Sequence, residues 1–400
     1  MCYYFIMAME VGIGQSTEKE PVQAAKEAIN QARQNLGQEK IDLAIVFSTI
    51  DLSYISLLKA ISGILADVPV VGCSGAAIIS NAGIFTHGLV VMLLRLPEGA
   101  YFNTAYVNRI KDKTALVAGE ELADKLLEGL KGWRRDLGLI FCDGLIEEAS
   151  NFLYGLQERL GKSFPLIGAS ASDNLAFKRT YLYFNQEVFS DGACAILWGG
   201  KLNFSLGIKH GWKPLGKPRT ITKSHANVVD QIDNLPAVKL YAEYLGKDTK
   251  ELKKYLKHIC VLYPIGIYLA GEKEYLLRNI LSIEDNGALI FQGNVPEGSQ
   301  IRLMIGTKES CLSATQQAVD ELGLKRQTHN FVLVFDSVSR YTLLKREAEK
   351  ELEIIKEGVG KDTPIIGLYT YGEQAPLQAI NYQGRAYFHN QTITLLRIGG

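Results

Sequence analysis

The chain has 400 residues, 47% of them hydrophobic, which is enough for two ordinary domains with their own cores. Its 43 basic and 43 acidic residues balance, so no overall field draws it to nucleic acid or to an anionic membrane. The six cysteines are scattered and contain no Cys-x-x-Cys pair, which disfavours a disulfide framework and a zinc ribbon. Free thiols in a reducing compartment are the simpler account, and we expect a cytoplasmic protein.

The chain begins with the apolar stretch MCYYFIMAM, which Glu10 ends. It has no basic segment in front of it and is too short for a signal peptide with its flanks or for a membrane span. No later run approaches the roughly 18 uncharged apolar residues that a spanning helix needs. We therefore expect no membrane segment.

A short motif recurs along the chain, as VPVVGCSGAA, FPLIGAS, the weaker YPIGIYL, and TPIIGLY. The prolines of the four copies are Pro69, Pro165, Pro264 and Pro364. Because these prolines are spaced by nearly equal steps of about one hundred residues, the motif indicates an internal repeat.

The sequence around each motif predicts a common unit. Apolar runs typical of strands buried on both faces precede three copies, as IDLAIVFST, LGLIFCDG and NFVLVFDSV. Apolar residues three or four apart then predict a helix before each of these three prolines. Further strand-like runs, such as GLVVMLL and QTITLLR, follow. Strand, helix and strand imply a right-handed parallel crossover, and the later runs add antiparallel edges.

These units predict an α/β fold with mixed sheets. It consists of two domains, residues 1–200 and 201–400, and of about four quasi-repeats of roughly one hundred residues. The unit around Pro264 is divergent, because no clean buried strand precedes that proline.

The first motif copy, Gly72-Cys73-Ser74-Gly75-Ala76, is similar to a nucleophile elbow but lacks the second glycine of G-x-S-x-G. The later copies keep the first glycine and do not keep the nucleophile. A repeated glycine is better explained by a close approach of backbone at a strand end, so we predict no catalytic residue there. The alternative is an enzyme of hydrolase or acyl-transfer type, with Cys73 or Ser74 as nucleophile and His389 or His87 as base.

Polar residues nevertheless follow the predicted strands, where open α/β sheets usually bind small ligands. Either a ligand or the fold itself must satisfy them. The candidates at these strand ends are Cys73, Ser74, Ser170, Ser172, Asp173, Tyr371, Glu373, His389, Asn390 and Gln391.

Signatures of other sites are weak. No two histidines stand two to four residues apart, there is no Walker A loop, and the Gly-x-Gly of VGIGQST lacks the third glycine of a dinucleotide fingerprint. Short basic patches have acidic neighbours and are typical of solvated helix faces. We expect no metal, no cofactor and no nucleic-acid partner.

At this point the chain resembles the FIST family, whose N-terminal and C-terminal modules occur together in signalling proteins. The matching stretches are VPVVGCSGAA, FPLIGASASDN, GIKHGWKPLGKPRTIT, EYLLRNILSI, FQGNVPEGSQIRLM, TYGEQAP and FHNQTITLL, which cover most of the chain in the family's order. Nothing similar to a transmitter, kinase, cyclase or F-box segment is attached.

The resemblance implies a sensory protein that binds a small ligand, with amino acids as the ligands proposed for the family. Its motifs fall on Gly72, Cys73 and Ser74, on Gly211, Trp212 and Pro214, on Tyr371, Gly372 and Glu373, and on His389, Asn390 and Gln391. Such a sensor would act through a separate downstream signalling protein or through self-association. Exposed strand edges would favour a homodimer, although no residue specifies one.

An amino-acid ligand needs a site for its carboxylate and a site for its ammonium group. Arg278 is our candidate for the carboxylate, and Glu373 or Asp173 for the ammonium group. The remaining hypothesis is a scaffold without a ligand, in which the fold satisfies these polar groups itself.

Overall fold

The computed structural model of the protein describes residues 9–37, 40–323, 330–377 and 385–399. Our expectation for MCYYFIMAM, apart from Met9, falls outside these residues, as do Cys2 and His329. Within them, the strands form three six-stranded sheets and one eight-stranded sheet, with helices packed on their faces. The predicted α/β fold with mixed sheets is confirmed.

The first unit spans residues 10–95. In chain order its elements are β1 (Glu10–Ser16), α1 (Pro21–Leu36), β2 (Leu43–Thr49), α2 (Tyr54–Leu65), β3 (Val70–Gly75), β4 (Ile78–Ser80), β5 (Gly83–Phe85) and β6 (Leu89–Arg95). β2 is buried throughout and pairs in parallel with β3, as expected for a strand–helix–strand crossover. β6 lies antiparallel between β1 and β2, and the β4–β5 hairpin leaves this sheet.

The second unit spans residues 101–199 and repeats that plan. Its elements are β7 (Tyr101–Asn108), α3 (Ala115–Glu128), β8 (Leu137–Cys142), α4 (Ala149–Leu160), β9 (Leu166–Ser170), β10 (Leu182–Phe184), β11 (Glu187–Phe189) and β12 (Gly192–Gly199), with a short 3₁₀ turn at Ile110–Asp112. β8 and β9 are parallel, and β12 lies antiparallel between β7 and β8. The β10–β11 hairpin pairs with β3 of the first unit.

An antiparallel segment interrupts the third unit after its first strand, β13 (Phe204–Lys209). The inserted elements are β14 (Lys213–His225), β15 (Val228–Ile232), β16 (Leu235–Pro236), α5 (Val238–Leu245), α6 (Thr249–Lys254), α7 (Leu256–Leu262), β17 (Ile265–Tyr268), β18 (Tyr275–Arg278), β19 (Ile280–Ile283), β20 (Leu289–Phe291) and β21 (Gln300–Ile305). These strands make the eight-stranded sheet. Pro264 leads into β17, whose partners β18 and β21 are both antiparallel, because no buried strand precedes that proline as a parallel partner.

The third unit resumes at residue 308. It continues with α8 (Lys308–Glu321), β22 (Asn330–Ser337), α9 (Val338–Leu344), a 3₁₀ turn (Lys345–Glu347), α10 (Ala348–Val359), β23 (Ile365–Thr370), β24 (Gly372–Pro376), β25 (Ala386–His389) and β26 (Ile393–Gly399). β22 and β23 are parallel, and β26 lies antiparallel between β13 and β22. The third unit therefore has the plan of the first two.

The three units exchange their hairpins around a ring. β10–β11 of the second unit extends the first sheet, β24–β25 of the third extends the second, and β4–β5 of the first extends the third. Strands from both predicted halves of the chain thus share sheets. The division into domains at residue 200 stays a prediction.

A common core fills the space between the inner faces of the three sheets. Phe47, Phe141 and Phe335, at equivalent places on β2, β8 and β22, meet there edge to face with ring centroids 5.4, 6.3 and 6.0 Å apart. The helices cover the outer faces in separate clusters. This arrangement brings the ends of β3, β9 and β23 together.

The glycine of the motif is explained by close packing of neighbouring strands. A Cβ on Gly72 would lie 1.8 Å from the carbonyl oxygen of Val46, and Gly168 and Gly367 would clash in the same way with their parallel partners. Only glycine fits this approach. The repeated residue therefore serves the sheet.

Candidate functional site

The strand ends around Ser74 form a closed hydrogen-bonded centre. The Ser74 hydroxyl donates to the carbonyl of Ser172 at 2.9 Å and accepts from the Tyr181 amide at 3.0 Å. The Ser172 hydroxyl donates to the Tyr369 carbonyl at 2.5 Å and accepts from the Ala76 amide at 2.8 Å. Both serines are fully buried. The centre satisfies its own polar groups, so neither hydroxyl is available as a nucleophile.

Cys73 points into the common core and is inaccessible to solvent. Burial raises the pKa of its thiol well above the usual range, with a smaller effect from Cys194. A neutral buried thiol is a poor nucleophile. The candidate bases have other partners: the His389 imidazole bonds the carbonyl of Ala375 at 3.0 Å, and His87 pairs with Asp51. The enzyme alternative requires a nucleophile in contact with a base. Among Cys73, Ser74, His87 and His389, the structure shows no such pair.

Ser170 is buried beside these strand ends. Its hydroxyl accepts a 2.8 Å hydrogen bond from Gln374 Nε2 on β24. This contact helps to hold the exchanged hairpin of the third unit against β9. Its position fits a role in joining the second and third units.

Asp173 organises the loop that follows β9. Its carboxylate accepts hydrogen bonds from four successive backbone amides, residues 176–179, at 2.8–3.2 Å, and from the hydroxyl of Tyr371. Burial alone would raise the pKa of Asp173, but the hydrogen bonds from Tyr371 and the amides lower it below its usual value. The Phe177 ring stacks on Tyr371 with a centroid distance of 4.4 Å. The carboxylate is therefore charged and fully engaged within the protein.

Glu373 is also fully buried, but its environment keeps it neutral. Thr370 donates its hydroxyl to Glu373 Oε1, and the Thr392 amide donates to Oε2 at 3.3 Å. Burial raises the pKa of Glu373 to about 8 despite these bonds. At neutral pH this side chain is protonated and offers no negative charge to an ammonium group.

A buried ion cluster lies next to Glu373, and the sequence analysis missed it. Arg340 Nε lies 2.9 Å from Asp336 Oδ1, Arg340 Nη2 pairs with Glu351, and Arg340 Nη1 donates to the His210 carbonyl at 2.6 Å. Arg340, Asp336 and Glu351 are each at most 1% exposed. The spacing Asp-x-x-x-Arg at the end of the buried run NFVLVFDSVSR was the available signal. The cluster ties the third unit to the point where the inserted segment begins.

Trp212 lies apart from these groups, in a cluster that packs the start of the inserted segment on the third unit. Its indole Nε1 donates to the Val261 carbonyl at 3.1 Å, and the ring packs closely on Gly306. Its backbone amide donates to Nδ1 of His210, and burial lowers the pKa of that imidazole to about 3. These contacts make Trp212 a packing residue.

Arg278, at the end of β18, is 3% exposed and lies where the inserted sheet meets the β24–β25 hairpin. Its Nε donates to the Asn294 carbonyl at 3.0 Å, and its Nη1 donates to the carbonyls of Leu277 and Phe388 at 2.9 and 2.8 Å. Within the described residues, no carboxylate pairs with it and Nη2 has no hydrogen bond. Burial lowers the pKa of Arg278 to about 9, so the guanidinium stays charged at neutral pH.

Amide residues adjoin Arg278 in the chain and through hydrogen bonds, and part of the bonding capacity of their side chains is unused. Asn390 Oδ1 accepts a 3.2 Å hydrogen bond from the backbone amide of Asn279, and Asn390 Nδ2 donates to Gln292 Oε1 at 3.1 Å. Gln292 Nε2 in turn donates to the backbone carbonyl of Tyr371 at 2.8 Å. Buried Oδ1 atoms of Asn279 and Asn294 have no hydrogen-bond partner among the described residues. We call Arg278, Asn279, Gln292, Asn294 and Asn390 the junction site. Unpaired buried acceptors beside an unpaired cation are suited to a ligand that carries both an anion and N–H donors.

The structure thus separates the predicted site residues into groups. Ser74, Ser170, Asp173 and Tyr371 lie at the strand ends, while Arg278 and Asn390 meet at the junction site, which Tyr371 joins through Gln292. His389 is buried beside that site, and burial lowers the pKa of its imidazole to about 4, so it is neutral. Gln292, Asn279 and Asn294 were missed as site residues, although they lie in the quoted stretches FQGNVPEG and EYLLRNILSI.

Two kinds of feature are absent from the part of the chain that the structure describes. Among them, no group of three or more His, Cys, Asp and Glu side chains is arranged to hold a metal ion. None of the helices that can be described is long and apolar enough to cross a bilayer.

Comparisons with known proteins agree with the sequence resemblance. Residues 42–235 match the family model described as the FIST N domain, and residues 237–376 match the FIST C domain. An uncharacterised protein of Methanocaldococcus jannaschii is 25% identical over 92% of this chain and 76% of its own length. An uncharacterised protein of Mycobacterium tuberculosis is 21% identical over 93% of this chain and 96% of its own. A crystal structure of cyanuric acid hydrolase from A. caulinodans aligns with 97% of this chain and 98% of that chain, with a TM-score of 0.37 and 9% identity.

Proposed function

We propose, from the premise that this chain belongs to the FIST family, that it is a cytoplasmic sensory protein that binds a small ligand at the junction site. The observation that carries the proposal is the state of Arg278, a buried guanidinium group without a carboxylate partner in the described residues. Burying an unpaired charge costs several kcal/mol, roughly, so a structure retains one where something else compensates it. A ligand anion supplies that compensation.

An amino acid fits the chemistry of this site. Its carboxylate would accept from Arg278 Nη2, and its ammonium group would donate to the unpaired Oδ1 atom of Asn279. A neutral amide oxygen would then take the place of the acidic partner that we expected in Glu373 or Asp173. Glu373 is protonated, and Asp173 is saturated by amides and by Tyr371.

The output step is also part of this proposal. A separate signalling protein would recognise the ligand-bound form, since binding can shift the protein between two conformations only if the two differ in affinity for the ligand. Self-association of this chain is the other route that we predicted. No contact in the described residues favours the enzyme alternative with Cys73 or Ser74 as nucleophile.

The test is a thermal-shift screen of the purified protein against each proteinogenic amino acid, followed by calorimetric titration of every compound that raises Tm. A ligand at 100 times its Kd stabilises by about 2.7 kcal/mol, which such a screen detects. Arg278→Met should weaken binding by about tenfold or more, because a charge-assisted contact is lost. The ligand should be recovered unchanged.

Arg219→Met is the matched control. Arg219 also lies in the inserted sheet, but it has acidic partners, Asp233 and Glu243, and is outside the junction site. Its variant should bind as the wild type does. Equal binding by Arg278→Met would place the ligand elsewhere, and a screen without any shift would remove amino acids as ligands.

A further inference from the structure

The junction site is covered in this structure by the segment that contains Gln292, Gly293 and Asn294. Gly293 has a φ of +102°, and a Cβ there would lie 3.0 Å from Arg278 Nε and 3.0 Å from the ring of Phe388. The segment therefore lies directly against the guanidinium group. The segment restricts access to Arg278, which is 3% exposed in this structure.

Tyr371 holds the cover from the side of the strand ends. Its carbonyl accepts the 2.8 Å hydrogen bond from Gln292 Nε2, and its hydroxyl donates to Asp173. The same tyrosine is thus fixed at its ring by Asp173 and Phe177 and at its backbone by the cover. Tyr371 therefore forms a connection between the loop that follows β9 and the cover.

The loop that follows Asp173, at the other end of this connection, has a backbone conformation that is unfavourable by itself. Residues 174–179 are exposed, and Leu175 and Phe177 have φ values of +61° and +51°. Side chains other than glycine rarely adopt such angles, so this conformation depends on the bonds that Asp173 makes to the amides of residues 176–179. We call residues 173–179 the latch loop.

We propose that the latch loop regulates access to the junction site through Tyr371. While Asp173 and Phe177 hold Tyr371, Gln292 is fixed and the cover is closed. When the latch loop releases Tyr371, the cover moves and Arg278 becomes accessible. Because linkage is reciprocal, a ligand on Arg278 favours the released loop, which is exposed and so provides the signal that a partner reads. This inference rests on the proposed ligand site and adds its regulation.

The experiment is hydrogen exchange measured by mass spectrometry on the ligand-free protein. Tyr371→Phe removes one hydroxyl and keeps the ring that stacks on Phe177. The amides of residues 176–179 should exchange about tenfold faster, because the hydroxyl contact to a charged carboxylate is lost. Residues 290–295 should also exchange faster, although they do not contact the deleted atom. Trypsin cleavage after Lys178 and Arg179 should accelerate in parallel.

Matched variants make the result decisive. Tyr268→Phe removes the hydroxyl of an exposed tyrosine in the inserted sheet and should change neither segment. Asp173→Asn keeps the shape of the side chain, removes the charge that the amides share, and should act as Tyr371→Phe does. If the latch loop exchanges faster while residues 290–295 do not, the coupling is absent and the proposal is overturned. Unchanged exchange in both segments overturns it as well.

A second arm separates this inference from the proposed function. The probe is an equimolar mixture of the twenty proteinogenic amino acids, added to the wild type and to Arg278→Met. We expect a rise in Tm and faster exchange of the latch loop in the wild type alone. A rise in Tm with an unchanged or slower latch loop would overturn the latch and leave the ligand site standing. No rise in Tm would overturn the amino-acid ligand, whereas the ligand-free comparison decides the latch.

Discussion

Arg340 and Arg278 are both buried, and the proposed ligand site rests on the difference between their surroundings. Arg340 has Asp336 and Glu351 within ion-pair distance, and it also bonds Thr315 and two carbonyls. Burial would lower the pKa of Arg340, but chiefly the neighbouring Glu351 raises it above the usual value. Arg278 has three bonds to carbonyls and no acid in the described residues, and burial lowers its pKa.

The comparison shows that burial of a charge is not by itself the mark of a site. In the Arg340 cluster the cation has two acidic neighbours, and the cluster joins the third unit to the start of the inserted segment. Arg340 Nε, Asp336 Oδ1 and Glu351 Oε2 have no hydrogen bond among the described residues, so the acidic neighbours, and not the hydrogen bonding, distinguish the two places. The junction site has an unpaired cation and unpaired amide oxygens, which a ligand can complete. The three predictions below test this distinction by changing the charge, the protonation and the neutral hydrogen bonds of these buried groups.

The largest effect should follow replacement of Arg340. Arg340→Met leaves Glu351 as an uncompensated buried carboxylate, so the free energy of unfolding should fall by about 3–5 kcal/mol. Arg278→Met removes an unpaired buried charge but also loses three bonds to carbonyls. These effects offset, so its unfolding free energy should stay within about 1.5 kcal/mol of the wild type. Urea unfolding of both variants measures the contrast, with Arg219→Met as a control that loses about 1 kcal/mol or less.

Equal losses in the two buried variants would contradict the distinction. They would mean that Arg278 is a structural residue whose partners the fold already supplies. If Arg340→Met had the same free energy of unfolding as the wild type, the cluster would not stabilise the fold.

The strand–helix–strand units were predictable because their signals are local. The parallel pairs are indicated by apolar runs such as NFVLVFDSV, by apolar residues at helical spacing, and by a proline before each strand. The glycine of the motif indicates close packing of neighbouring strands. The hairpin exchange and the meeting of Phe47, Phe141 and Phe335 were not predictable. They depend on strand partners about one to three hundred residues away, which local patterns do not specify.

The site was predictable in part for the same reason. Arg278 was selected as a guanidinium group able to bind an anion, and the structure places it beside Asn390. Glu373 was selected as a charged partner, but its protonation depends on burial, which the sequence does not give. Asn279 and Asn294 became notable only through atoms that lack partners in the folded structure.

The second effect in size is a pH dependence that belongs to Glu373. Because its pKa is raised to about 8, the folded state holds a proton that the unfolded state releases above its ordinary pKa of 4.5. The resulting stability is complete below that ordinary value and is lost as the pH rises toward 8. The slope approaches about 1.4 kcal/mol per pH unit within this window. Glu373→Gln, which imitates the protonated acid, should remove this part of the slope.

The measurement is urea unfolding of the wild type and Glu373→Gln at several pH values between 5 and 8.5. Asp336, whose pKa is raised by burial, by Glu351 and by Glu373, contributes a slope of the same sign in both proteins, so the difference between them reports Glu373 together with its effect on Asp336. Parallel curves would show that Glu373 is ionised in the folded protein. It would then again be a candidate partner for an ammonium group.

The smallest of the three effects concerns the neutral centre at the strand ends. Ser74→Ala leaves the buried Ser172 carbonyl and Tyr181 amide without their hydrogen-bond partner. The free energy of unfolding should therefore fall by about 1–3 kcal/mol. Ligand affinity at the junction site should not change, because Ser74 makes no contact there. Exposed Ser53 provides the matched control, and Ser53→Ala should cost less than about 0.5 kcal/mol. If Ser74→Ala kept its stability but lost ligand binding, the ligand would bind at the strand ends and not at the junction site. The sequence motif around Ser74 would then take part directly in ligand binding.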